Sequence, residues 1–407
     1  MNKSSCVSFG RMFNSIFKRM KISFIESRFF ISVLLFFVFP FSPLKGAHII
    51  EKTYLATDSL VETGGVAQIG EKILDLVTWE KDGLVFTVYP SLSVSPRNGF
   101  VYGVMPAVKW ESQRKGLSNT LTVNAETSTK GMLQLQFEHE WYFHEKWLTS
   151  GEAFLNKRED LFWIGGDQED FYFDRREVKV DWDLLNNIYP GFWIGLQLFI
   201  DSNHFSDEAE LSFREEGLQG FKGGLIFGLG PKLLLDTRER TLAPQSGVLL
   251  ELQPLFVGVG GIGDYNFTRI TVDFRKYVPL KQEKTTLAFQ TVLDYAEEKV
   301  PFYDAPQLGG KERLRGIGHP LKRSGNSVWL SRVELRQHLW WRFGVAAFAG
   351  VGEAKVNYQN PFEDVVSSFG AGLRFRMLPD DPLNVRFDFG RSSIGTTGFF
   401  ISLKEAF

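Results

Sequence analysis

The sequence predicts an all-β fold: a sixteen-stranded antiparallel transmembrane β-barrel with an extracellular loop folded into its lumen. Three observations point there. A basic stretch followed by about a dozen apolar residues stands at the front. From residue 84 onward, segment after segment alternates apolar residues with Arg, Asp and Glu. Between two such segments, LGGKERLRGI (308–317) carries Arg315 at the end of a long excursion with Gly309, Gly310 and Gly316. Arginine has a fork of donors and no way to lose its charge. A loop rich in glycine makes sense if it docks that charge on a carboxylate inside a polar cavity.

Composition narrows the classes. The chain has 407 residues with formal net charge -2, 39 Phe, 39 Gly and one Cys. Cys6 has no partner, so no disulfide framework is expected. Near-neutral charge without a basic stripe argues against nucleic acid as a partner.

Residues 29–41, FFISVLLFFVFPF, follow Lys18, Arg19, Lys21 and Arg28. The run is short for a membrane-spanning helix, which needs about 20 residues. Residues 1–47 therefore read as a secretory signal peptide, cleaved near Ala47, with an uncleaved anchor as the alternative. Translation could also begin at Met12 or Met20. Residues 48–82 form a short periplasmic segment, either a linker or a lumen plug. Within it, GEKILDLVTWE (70–80) has the spacing of a short amphipathic helix.

Residues 83–407 are the barrel. Segments such as 146–157, 171–184 and 398–407 bring the count to sixteen, at about 20 residues per strand and connection, against the 9–11 that a transmembrane strand requires. In 328–338, Trp329, Val333 and Leu335 oppose Arg332, Glu334, Arg336 and His338. In 383–389, Leu383, Val385, Phe387 and Phe389 oppose Arg386 and Asp388. Apolar-out and polar-in is the outer-membrane pattern, and closure of an even number of strands removes free edges. With both ends periplasmic, the long connections 202–220 and 297–326 are extracellular. The first, taken as 201–220, is acidic, with Asp201, Asp207, Glu208, Glu210, Glu215 and Glu216, and reads as solvated.

Several apparent motifs fail on context. GVGGIG (258–263) lacks the helix a dinucleotide fingerprint needs. His139 and His144 in HEWYFH point to opposite faces of a strand. No G-x-S-x-G occurs, although His204 or His319 could serve a lipid-active enzyme. No catalytic residue, metal or cofactor is expected.

Four pieces together carry a family resemblance: GPKLLLDTRERTLAPQSG (230–247), LGGKERLRGI (308–317), SRVELRQHLWWRFGVAAFAGVG (331–352) and LNVRFDFGRSSIGTTGFFISLKEAF (383–407). Over roughly 84–407 the chain resembles the BamA/TamA-like outer-membrane assembly superfamily, or bacterial surface antigens. The resemblance implies that the sixth extracellular loop enters the lumen, with Arg315 and Gly316 at its tip and Glu334 as the wall carboxylate. Ile317 departs from the family's aromatic, and Gly350 stands in place of its second carboxylate, leaving Glu334 to bear the pairing alone. The chain has no room for the family's POTRA modules. Phe407 is expected outward beside Leu403 and Ile401, as a C-terminal signal for edge pairing.

The expected function is non-enzymatic assistance to insertion or transport in the bacterial outer membrane. The alternatives are a passive pore or structural surface antigen, then a lipid-active enzyme. Expected partners are outer-membrane lipids, the barrel-assembly machinery during biogenesis and client outer-membrane proteins, with the chain itself a monomer.

Overall fold

The computed structural model describes residues 78–407 apart from 96–97, 113–117, 145, 165–168, 281–283, 357–361 and 377–383. The expected signal segment, 1–47, and most of 48–82 lie outside the described residues. Among the described residues seventeen strands follow one another: β1 (Thr78–Lys81), β2 (Leu84–Ser95), β3 (Gly99–Glu111), β4 (Ser118–Ser128), β5 (Leu133–Phe143), β6 (Trp147–Ile164), β7 (Glu169–Tyr189), β8 (Phe192–Phe205) and β9 (Gly224–Asp236). The second half comprises β10 (Gly247–Val257), β11 (Thr268–Leu280), β12 (Thr285–Ala296), β13 (Ser327–Trp340), β14 (Phe343–Lys355), β15 (Val366–Arg376), β16 (Asn384–Ser392) and β17 (Thr397–Leu403). From β2 to β17 each strand pairs antiparallel with the next, and β17 returns to β2, closing a sixteen-stranded wall.

The extra strand β1 corrects the helical reading of 70–80 where the structure describes it. Thr78–Lys81 turns back on Leu84–Thr87 through Asp82 and Gly83, at φ 53° and 75°. An Asp-Gly pair suits a two-residue hairpin turn with positive φ at both positions.

Alternation sorts the wall as expected. On β16, Phe387 and Phe389 are 37% and 54% exposed, whereas Arg386 and Asp388 are 1% and 0% exposed. The apolar side faces out and the charged side faces the lumen. Strand lengths differ from the expectation. β6 has 18 residues and β7 has 21, both longer than read: charged outward residues hide the continuing alternation at the upper end of β6, and β7 runs on at its lower end through Asn186 and Asn187 to Tyr189.

The end carrying the long connections is capped. The expected solvated loop instead contains helix α1 (Asp207–Glu215), which buries Ala209 and Phe213 while Asp207, Glu208 and Glu215 stay exposed. Asp201 is not part of it; it is a buried lumen residue of β8. Phe213 meets Phe302 at 4.7 Å and Phe173 at 4.9 Å between ring centroids. With Phe205, Tyr303 and Leu321 they form an apolar core above the charged lumen. Mixed edge-to-face and tilted ring contacts of this kind add to simple burial.

Candidate functional site

The loop between β12 and β13 (297–326) folds inward, and its own backbone holds the tip. Gly310 N–H donates to the Ile317 carbonyl at 3.0 Å, and Leu314 N–H to the Leu308 carbonyl at 3.1 Å. Leu308, Leu314 and Ile317 are buried against Val292, Val328, Leu330 and Val366. Ile317 thus works as an aliphatic plug. It lies so close to Gly309 that an added Cβ there would sit 2.7 Å from the Ile317 Cβ.

This anchoring delivers Arg315 to the wall, where its side chain is 1% exposed. Nη2 donates to Glu334 Oε2 on β13, and Nη1 donates to Asp388 Oδ2 on β16 at 2.7 Å. The guanidinium lies 3.4 Å above the Phe348 ring, a cation–π contact. Gly316 N–H donates to Ser368 Oγ at 2.8 Å, and Thr396 Oγ1 donates to the Gly316 carbonyl at 2.8 Å. The seat is lined by glycine. A Cβ on Gly316 would meet the Ser392 nitrogen at 2.6 Å, and one on Gly390 would meet Gly316 N at 2.9 Å.

The structure therefore brings together Arg315, Gly316 and Glu334, and places Gly309 and Gly310 in the fold of the loop that presents them. It corrects the view that Glu334 bears the pairing alone: Asp388 supplies the second carboxylate from a different strand. At Gly350 a Cβ would already lie 2.8 Å from Leu314 Cδ2 and 2.9 Å from the Arg332 Cβ, so the loop's own leucine occupies that space.

Around the pair runs a network of arginines. Arg336 Nε donates to Glu334 Oε1 at 2.7 Å, and Arg374 Nη1 to Asp388 Oδ1 at 2.6 Å. Arg386 Nη1 reaches Asp388 Oδ2 at 3.1 Å. Buried carboxylates are tolerable only when paired and fully hydrogen-bonded, and here several guanidiniums serve two of them.

The same network holds the C-terminus. The chain leaves β17 after Leu403, turns at Lys404 (φ 65°) and enters the lumen. Arg332 Nη2 donates to the Ala406 carbonyl at 3.1 Å and Arg336 Nη2 to the Phe407 carbonyl at 2.6 Å. Phe407 is 5% exposed, packed with Tyr277 and Ala288 and 4.3 Å beneath the Arg332 guanidinium. The expected outward terminal aromatic is thus corrected: a period of two does not continue past the strand's end. Leu403 remains at the end of β17, paired with Val385.

The inward turn leaves the closure between β17 and β2 thin. Among the described residues, Ile401↔Val94 is its one register pair. β1 covers β2 from Leu84 to Thr87. Extended in register, Ser402–Phe407 would lie opposite Ser93–Val88. Pro90, within it, has no N–H to offer a partner.

Residues 114–392 match the Omp85 superfamily domain. No curated protein matches. Among solved structures, BamA from Haemophilus ducreyi lacking POTRA domains 1–3 is similar at 14% identity and TM-score 0.54, over 80% of this chain and 70% of that one. CdiB from Acinetobacter baumannii is similar at 12% identity and TM-score 0.54, over 80% and 60%. CdiB from Escherichia coli is similar at 12% identity and TM-score 0.51, over 80% and 63%. The chain thus spans less than two thirds of either CdiB. At these identities the likeness is one of fold. The match over more than half of the sequence, together with the closed barrel and its inward loop, means that the chain belongs to the Omp85 superfamily.

Proposed function

We propose that this barrel resides in the bacterial outer membrane and assists, without catalysis, the insertion or transport of client proteins through the boundary between β2 and β17. The observation that carries this reading is the closure of the wall through one register pair among the described residues, Val94↔Ile401, beside Pro90, which has no N–H to offer a neighbouring strand. An exposed strand edge is a template for another chain's strand. The docked loop, with Arg315 held by Glu334 and Asp388, braces the neighbouring wall from the inside. Phe407, sequestered in the folded barrel, and Leu403 would serve as a signal to the assembly machinery only while the chain is unfolded.

The test is reconstitution of the purified chain in lipid vesicles with an unfolded outer-membrane protein as client. Accelerated insertion is expected, lost in Arg315→Ala. It should also be lost when Val94→Cys and Ile401→Cys are joined by a disulfide, and return on reduction, since directly opposed positions have suitable spacing for such a bond. A folded barrel that accelerates nothing would move the function to a passive pore or surface protein, and steady conductance would separate those two.

A further inference from the structure

One sector of the outer wall changes character near the capped end. The outward side of β6 is uncharged from Trp147 to Leu155, and Lys157 follows. On β7, Val178 is followed upward by Arg176, and on β8 the outward position reached at this height is His204. The register sets Lys157 opposite Arg176 and Arg176 opposite His204. All three are exposed. One step further out, Glu159 stands opposite Asp174, also exposed. On β9 to β12 the outward residues near the same end carry no charge: Leu225, Phe256, Thr268, Ile270 and Tyr295.

Residues directly opposed across a sheet have Cβ atoms about 4.5–5.5 Å apart, and like charges there repel. Glu159 and Asp174 could relieve this diagonally, yet no ion pair joins the two rows among the described residues. The cations stand just above a lipid-facing stretch of nine residues on β6, about the length that crosses an apolar core.

We propose that Lys157, Arg176 and His204 bind the phosphates of a bisphosphorylated glycolipid in the leaflet facing the capped end, its acyl chains descending over Leu155 and Val178. The leaflet assignment rests on the orientation proposed above. Arg176 offers a planar fork and Lys157 a point charge, both suited to phosphate. The row crosses two strand spacings, about 10 Å, more than one phosphate spans. The carboxylates above fit sugar hydroxyls as acceptors, whereas a plain phospholipid head group would leave them unused.

The full chain, folded in neutral detergent, would be titrated with a bisphosphorylated glucosamine-disaccharide lipid, its dephosphorylated form and phosphatidylglycerol, and retained lipid counted by native mass spectrometry. Retention of the bisphosphorylated lipid is expected, with at least about tenfold weaker binding of the other two. K157Q/R176Q should lose about tenfold or more and H204Q less, while R391Q, an exposed cation on β16, should bind as wild type. Equal binding by K157Q/R176Q, or of the dephosphorylated lipid, would overturn the site. Phosphatidylglycerol bound as tightly would overturn the glycolipid assignment. Orientation is read separately, by protease cleavage of the cap in intact cells, because binding in detergent does not depend on it.

Discussion

Two sides of this barrel are built on different terms. Across β6 and β7 the ladder is continuous from Trp147–Asn186 to Ile164–Glu169, and the wall rises beyond the apolar belt. At the seam β16 has 9 residues and β17 has 7, and among the described residues β17 shares one register pair with β2. The tall side is held by its backbone. The short side is held by side chains behind it: Arg315, Glu334, Asp388, Arg374 and the returning C-terminus. A wall supported from within can release one edge without dismantling its hydrogen-bond ladder.

The sharpest way to break this contrast is to remove the inner support. Glu334→Ala should cost about 3–5 kcal/mol, the range for stranding one partner of a buried pair, reduced where lumen water reaches the site. Thermal unfolding should show Arg315→Ala plus Glu334→Ala to be far from additive, because both remove the same contact; additivity would contradict the latch. Phe213→Ala, beneath the cap, should cost about 3 kcal/mol or slightly more and expose the loops to protease, with insertion activity retained. Removing residues 404–407 takes acceptors from Arg332 and Arg336, at about 1.5–3 kcal/mol for each such charged contact. That truncation should loosen β17 in hydrogen exchange and leave β6 and β7 protected.

The smallest effect concerns pH. Burial pushes the Asp304 carboxyl in the cap loop above the usual range, opposed in part by Arg269. A carboxyl raised in the folded state binds its proton more readily there than in the unfolded chain. Its favourable contribution is complete below the unfolded value, about 3.9, and declines as pH rises through the folded one. Asp304→Asn should flatten that slope in a pH series of cap melting without altering the short side.

Much of this was readable from residue alternation. The pattern Arg332, Glu334, Arg336 sends each side chain to the lumen, and so does Arg386, Asp388. The pairing of Asp388 with Arg315 was not legible, because nothing local joins two residues 73 apart; only barrel closure brings them together. The place of Phe407 was misread because alternation says which face a strand residue takes, but not where the strand stops. Gly350 was read as a lost carboxylate, whereas its vacancy of side chain is what admits Leu314. β6 outran its predicted end because Lys157 looks like the start of a loop, and β7 runs past residue 184 through Asn186 and Asn187, residues that favour turns.

The spacing of the Arg315 contacts along the chain has a consequence for timing. Glu334 follows Arg315 by 19 residues, but Asp388 follows by 73, and the glycines that shape the seat, Gly390 and Gly398, lie later still. The loop can therefore engage Glu334 early but cannot be fully seated until the last hairpin has formed. Docking of Arg315 then acts as a completion signal, made only by a chain whose final strands have arrived. Chains ending before Asp388 should keep residues 308–317 open to protease, whereas the whole chain should protect them.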